Sequence, residues 1–359
     1  MKINRRDMIK AGASAALGGL LAGTNTAQAQ GAASTTIPPA VPPLANKVGM
    51  RLATCVLGAQ DTPTVVAVLD DGMLVDLKAE ATRQQTRLGF DPSSMLELIK
   101  SGNAGLAQVH ALIAAASSQL ERLLSSANAR FLSPIPRPDR NIYCVGWNYL
   151  DHFEEGKHAR LDKRAETLPD HPVFFTKGTH TMNGPFDPIP QDRSNSIQTD
   201  WEAELAVIIG QRGKNIAEAD AMQFVFGYSV YNDTTERDIQ QQRHGGQWFK
   251  GKSVDGHGPM GPWIVTAGGV KLDDMHVICR VNGVEKQNAS YQQMYFKIPR
   301  IIAELSRGMT LEAGDIIATG TPSGVGFARK PPEYMKDGDI METEITGIGV
   351  IRNRISAIT

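Results

Sequence analysis

Three carboxylates delivered by two apolar runs are the residues here whose types and spacing could do chemistry. Asp200-Trp201-Glu202-Ala203-Glu204-Leu205 leads directly into Ala206-Val207-Ile208-Ile209. Strand side chains alternate between faces, so Glu202 and Glu204 share one face and Ala203 and Leu205 take the other. Adjacent like charges repel and are costly to bury unpaired, so a positive partner is expected between them. A second apolar run, Phe224 to Tyr231, delivers Asn232-Asp233 at its end. Together Glu202, Glu204 and Asp233 offer only oxygen donors, which suits a hard divalent ion, Mg2+ or Mn2+. Taken alone, Glu-x-Glu is more often the wet face of an amphipathic strand. The polar run after Asp233 shifts the balance toward a metal site.

The elements that must position these groups are mostly strands. Asn141 to Gly146 reads as a buried strand leading into a polar turn or short helix with His152 and Glu155. Their i, i+3 spacing puts both on one helical face, where the carboxylate can orient the imidazole and raise its basicity. An isolated His-x-x-Glu is usually a surface salt bridge. The charged stretch 156–170 lacks periodicity and is expected to form a lid. Phe174-Phe175-Thr176-Lys177 ends in a lysine that, as a bare residue, reads as solvated. Thr321, in the loop Gly320-Thr321-Pro322-Ser323-Gly324, follows the strand Ile316 to Thr319, where it and the loop amides could hold a carboxylate. Hairpin turns are expected at Asp70-Asp71-Gly72 and Asn282-Gly283. Helices are predicted after an Asp91 cap, over 106–124 and over 294–305, the last with a core-facing stripe.

These motifs occur in one order, and in that order they resemble the core of the fumarylacetoacetate hydrolase superfamily. The segments are Val145-Gly146-Trp147-Asn148-Tyr149, Asp200-x-Glu202-x-Glu204-Leu205, Gly227-Tyr228 through Asn232-Asp233 to Arg237-Asp238, Gln247-Trp248 to Gly251-Lys252-Ser253, and Gly314-Asp315 to Gly326. Several motifs in sequence are far more specific than any one. The resemblance covers about residues 137–355. It implies an α+β, β-dominated fold with a mixed β-sheet/β-roll catalytic domain, and a homodimer. It also implies a divalent metal on Glu202, Glu204 and Asp233, a catalytic His152–Glu155 pair with Lys177 near the substrate, and substrate contacts from Arg237, Gln240, Lys252 and Thr321. The activity it implies is hydrolysis of a carbon–carbon bond in acylpyruvate or 2,4-diketo acids, with water activated by the pair. Isomerisation or decarboxylation of oxaloacetate-type keto acids on the same site is the alternative, as is a non-catalytic keto-acid binding protein.

The rest of the chain bounds this reading. Asn4-Arg5-Arg6 precedes a weakly apolar stretch and Ala27-Gln28-Ala29, the pattern of a twin-arginine export signal over residues 1–30, so a periplasmic location is expected. A Pro- and Ala-rich linker is expected over 31–48, a small α+β domain over 49–133, and the catalytic domain over 137–359. Acid and base are interspersed to a formal net charge of -1, which gives no footprint for nucleic acid. The 3 cysteines are widely spaced and suggest neither disulfides nor a zinc knuckle. No Gly-x-Gly-x-x-Gly stretch supports a dinucleotide-dependent redox protein. No segment beyond the signal is apolar enough to cross a membrane, and the partner that the resemblance implies is a small keto or diketo acid.

Overall fold

The computed structural model describes residues 49–58, 61–159 and 167–358. The expected export signal and linker lie outside them, as do residues 160–166 of the stretch expected to form a lid. Among the described residues no helix is long and apolar enough to span a membrane.

The architecture is β-dominated, with mixed sheets and few helices. One sheet has twelve strands. At its centre the carboxylate strand Ala203–Ile209 pairs antiparallel with Val225–Asn232 on one side and with Ile316–Ala318 on the other. Ile316–Ala318 then pairs parallel with Ile142–Gly146, which carries Val173–Lys177 at the edge. In the other direction the sheet runs from Val225–Asn232 through Gly258–Thr266 into the N-terminal strands Arg51–Leu57, Thr64–Val68 and Met73–Asp76. The sheet thus continues across Pro134–Pro138, where the sequence suggests a boundary. A second sheet of five strands contains Val284–Ser290, His276–Val281, Ile340–Ile345, Gly349–Ile358 and Ile189–Asp192.

The carboxylate strand is buried on both faces, which explains its unbroken apolar run. Ala203, Leu205, Val207 and Ile209 pack into a core shared with the five-stranded sheet. Ala206 and Ile208 pack into a second core built with the helices Met95–Lys100 and Gly102–Ser117. A strand held from both sides gives its end little freedom, and that end carries Glu202 and Glu204.

Both expected hairpin turns form: Gly72 has φ +81°, and Asn282 and Gly283 have φ +52° and +77°. The helices depart from expectation at their starts. Ser94, not Asp91, caps Met95–Lys100 through its Oγ. Gly102 (φ +61°) lets the chain turn at once into Gly102–Ser117, so that helix begins and ends earlier than predicted. The helix predicted from 294 begins at Ile298, because Pro299 lacks an N–H and is tolerated only in a first turn.

Gly227 sits mid-strand, close against the neighbouring strand Gly258–Thr266. A Cβ there would lie 2.3 Å from Val265 O and 2.7 Å from Ile264 Cγ2. Gly227→Ala is expected to push the Val225–Asn232 and Gly258–Thr266 strands apart and destabilise the fold by about 1–3 kcal/mol, read as a lower urea midpoint. An unchanged midpoint would mean the ladder relaxes freely at this point.

Candidate active site

Four buried carboxylates meet three buried cations at the C-terminal end of Val225–Asn232 and the start of the carboxylate strand. Asp200 closes a short strand paired with Thr235–Glu236. Glu202 precedes Ala203–Ile209 and Glu204 lies within it, so the two point the same way, as the alternation requires. The Asp233 N–H donates to Glu202 O (2.8 Å), which docks the two strand ends. One oxygen from each of Glu202, Glu204 and Asp233 lies within 4.8 Å of the others.

The positive partners come from three elements. Lys252, on the one-turn helix Phe249–Lys252, donates to Glu202 Oε2 (2.5 Å) and Asp233 Oδ2 (2.8 Å). Arg237 begins the helix Arg237–Gln242. It donates through Nε to Asp200 (2.8 Å) and through Nη1 to Gln240 Oε1 (3.0 Å), with Nη2 2.6 Å from Glu202 Oε1. Lys177 is fully buried, not solvated, because the edge strand ends beneath the site. It donates to Thr234 O and His257 O and lies 2.7 Å from Asp233 Oδ1. Those bonds and its burial place it behind Asp233, whereas Lys252, Arg237 and Gln240 line the cleft.

This arrangement divides the two glutamates. Burial would raise the Glu202 carboxyl, but Lys252 and Arg237 beside it hold it down to about 2. Glu204 has no cation of its own: burial, then Asp233 and Glu202, push it well above the usual carboxylate range. The Lys177 ammonium is lowered by burial, against the pull of Asp233. Asp233 Oδ1 lacks an aligned hydrogen-bond donor despite the nearby Lys177. A buried oxygen without a donor and a buried glutamate without a cation both fit a divalent metal held by Glu202, Glu204 and Asp233.

The His152–Glu155 pair forms on the helix Leu150–Ala159, with Nδ1 2.9 Å from Glu155 Oε1. A carboxylate only accepts, so Nδ1 carries the proton and Nε2 is the basic atom. His152 lines the same cleft and is close enough to help hold Glu202 down. The cleft encloses ≈ 730 Å3, open mouth included. Trp147, Phe175, Trp248 and Phe327 form its aromatic wall, with Trp147 and Trp248 edge to face at 5.1 Å.

The Gly320–Gly324 loop sits at the strand end, as expected, but its amides serve the protein's own carboxylates. Gly320 N–H donates to Glu204 (2.8 Å) and Gly324 N–H to both oxygens of Glu155 (3.0 and 2.9 Å). Thr321 lines the cleft, with its hydroxyl donating to Ala203 O (3.0 Å). Asp200 has no role that the sequence alone assigns. It accepts from Gly326 N, Phe327 N and Trp201 N while anchoring Arg237. Its place as the first acid of Asp-x-Glu-x-Glu was the available signal. In the aromatic wall Trp147 and Trp248 stand in the quoted motifs, but no local pattern shows that they meet Phe175 and Phe327, which are far from them in the chain.

Comparisons with known proteins identify the family. The family description "Fumarylacetoacetate (FAA) hydrolase C-terminal" matches residues 141–356. Oxaloacetate tautomerase YisK of Bacillus subtilis is 40% identical over 294 residues, covering 80% of this chain and 94% of that protein. The human mitochondrial oxaloacetate tautomerase FAHD2A is 39% identical over 273 residues, covering 74% of this chain and 82% of that protein. The solved fumarylacetoacetate hydrolase of the psychrophile Exiguobacterium antarcticum superposes with a TM-score of 0.70 at 35% identity, covering 86% of this chain and all of that one. With the family motif spanning the carboxylate triad, the lysines and the glycine loop, this chain belongs to the fumarylacetoacetate hydrolase family.

Proposed function

We propose that this chain is a divalent-metal-dependent tautomerase that interconverts keto and enol forms of oxaloacetate-type 2-oxo acids. The observation that carries the chemistry is the under-compensated triad of Glu202, Glu204 and Asp233 at the floor of a cleft reached by His152. The choice of tautomerisation over carbon–carbon hydrolysis, which the sequence placed first, is supported by two relatives named oxaloacetate tautomerase at 39% and 40% identity.

Held by the triad, Mg2+ or Mn2+ would supply the charge that polarises the C2 carbonyl of a 2-oxo acid. His152 Nε2 takes a proton from C3, and the C–H bonding pair becomes the C2=C3 double bond. The carbonyl oxygen keeps its displaced pair and then accepts the proton, giving the enol; the reverse order restores the ketone. Glu155 stabilises the imidazolium formed in between. Gln240 accepts from Arg237 through Oε1, which leaves its NH2 to orient a substrate carboxylate. Lys177 and Lys252 hold Asp233 through ion pairs, while Lys252 and Arg237 keep Glu202 ionised. The exported location belongs to this reading on the strength of Arg5-Arg6 and the segment after it. Finding the full chain in the cytoplasmic fraction of its cells would remove that part alone.

Hydrolysis remains the second reading because a His–Glu pair can equally activate water. The full chain is expected to accelerate loss of the oxaloacetate enol absorbance, to stop doing so in excess chelator, and to lose about 10²- to 10⁴-fold in kcat as His152→Ala. Faster cleavage of acylpyruvates than tautomerisation would reinstate the hydrolase, and chelator-independent turnover would end both.

A second prediction follows from the raised Glu204. Its proton must leave when a cation binds, so Mg2+ affinity is expected to strengthen as pH rises from the ordinary carboxylate range. Without metal, a raised carboxyl favours folding while protonated and opposes it as pH climbs. Glu204→Gln should therefore melt no lower than wild type without metal, yet lose the Mg2+-dependent rise in Tm. A variant that keeps the full rise would show that Glu204 is not a ligand.

A further inference from the structure

Gln287 is buried to 1% exposure on the strand Val284–Ser290, in the five-stranded sheet, yet its side chain reaches the metal-binding strand of the other sheet. Its Oε1 accepts from the N–H of Ala203, the residue between Glu202 and Glu204 (3.0 Å). Its Nε2 donates to Thr321 Oγ1 (2.8 Å) and Pro322 O (2.8 Å). Thr321 Oγ1 in turn donates to Ala203 O. Both backbone groups of Ala203 are therefore captured in one closed ring, and every proton of the Gln287 amide is used.

The backbone beside Gln287 is shaped for this reach. Cys279 pairs with Gln287 and Arg280 with Glu285, so Lys286 is the extra residue of a β-bulge. Bulges bend a strand and re-aim the neighbouring side chain. The Lys286 carbonyl freed by the bulge accepts from Arg329 Nη2 (3.0 Å). Gly324 packs against the same carbonyl: at φ +105°, a Cβ on it would fall 2.0 Å from Lys286 O. The ring reaches both halves of the site through the loop, since Gly320 N–H holds Glu204 and Gly324 N–H holds Glu155.

We infer that Gln287 is a positioning residue that sets the Glu202–Glu204 pair and the His152–Glu155 pair relative to each other through the Gly320–Gly324 loop. The inference rests on the reading of this site as a metal-assisted tautomerase. Gln287→Glu keeps the acceptor for Ala203 N–H and removes both donors to the loop. In the full chain it is expected to weaken Mn2+ binding by about 10- to 100-fold and to lower kcat more than it raises KM. Thr321→Val, which opens the ring from the other side, should do the same, and Thr321→Ser should restore both quantities. Combining Gln287→Glu with Glu155→Gln should cost less than the product of the two single losses.

Wild-type Mn2+ affinity and kcat in Gln287→Glu would overturn the inference. So would a Thr321→Ser variant as impaired as Thr321→Val, or single losses that simply multiply. If Gln287→Glu does not fold, the Thr321 pair decides by the same criteria. A wild-type chain that neither binds Mn2+ nor tautomerises oxaloacetate would instead defeat the functional reading, a result separate from any of these.

Discussion

The structure depends on keeping negative charges together where water is excluded. Asp200, Glu202, Glu204 and Asp233 are all buried within one site, and an unpaired buried charge costs several kcal/mol even after relaxation. Lys177, Lys252 and Arg237 answer most of that cost, and each arrives from a different element. What they leave over falls on Glu204. That remainder is what a divalent metal held by Glu202, Glu204 and Asp233 would neutralise.

Two packing arrangements make such a cluster affordable. Burial of both faces of Ala203–Ile209 fixes its end with apolar contacts from two cores, so the acids have no route to water by strand fraying. Backbone N–H groups then hold the carboxylates whose second oxygen would otherwise be bare. Three carboxylates of the site accept from the segment 320–327: Glu204 from Gly320 and Glu155 from Gly324 in the loop, and Asp200 from Gly326 and Phe327 in the turn that follows. Hydrogen bonds to an ionised acceptor are the stronger kind and carry no charge of their own to neutralise. Gly320 and Gly324 lie at φ +99° and +105°, a region where a side chain would be strained, which accounts for glycine at both turns.

Aromatic and polar halves of the cleft complement one another. Arg237 sits with its guanidinium carbon 4.3 Å from the Phe327 ring centroid, and Lys252 Nζ lies 5.3 Å from that of Phe175. Both cations therefore have an aromatic face on one side and a carboxylate on the other. That confines them to the floor of the cleft and strengthens their effect, since low local polarity magnifies each interaction.

Sequence by itself determined the period-two placement of Glu202 and Glu204, the delivery of Asp233 by a neighbouring strand, and the one-turn spacing of His152 and Glu155. These are local geometry, set by backbone repeat alone. Turn chemistry at Asp70-Asp71-Gly72 and Asn282-Gly283 was legible for the same reason. Tertiary structure decided which charge meets which. Lys177 reads as solvated in a string of residues and becomes buried only because its strand is laid beneath Asp233. The loop amides look free for a substrate until the fold brings Glu155 and Glu204 to them. Gln287 gave no signal at all, since its partners lie 34 and 84 residues away and only the bulge at Lys286 aims it at them. Contacts between distant segments depend on sheet order and register, and no local repeat encodes those.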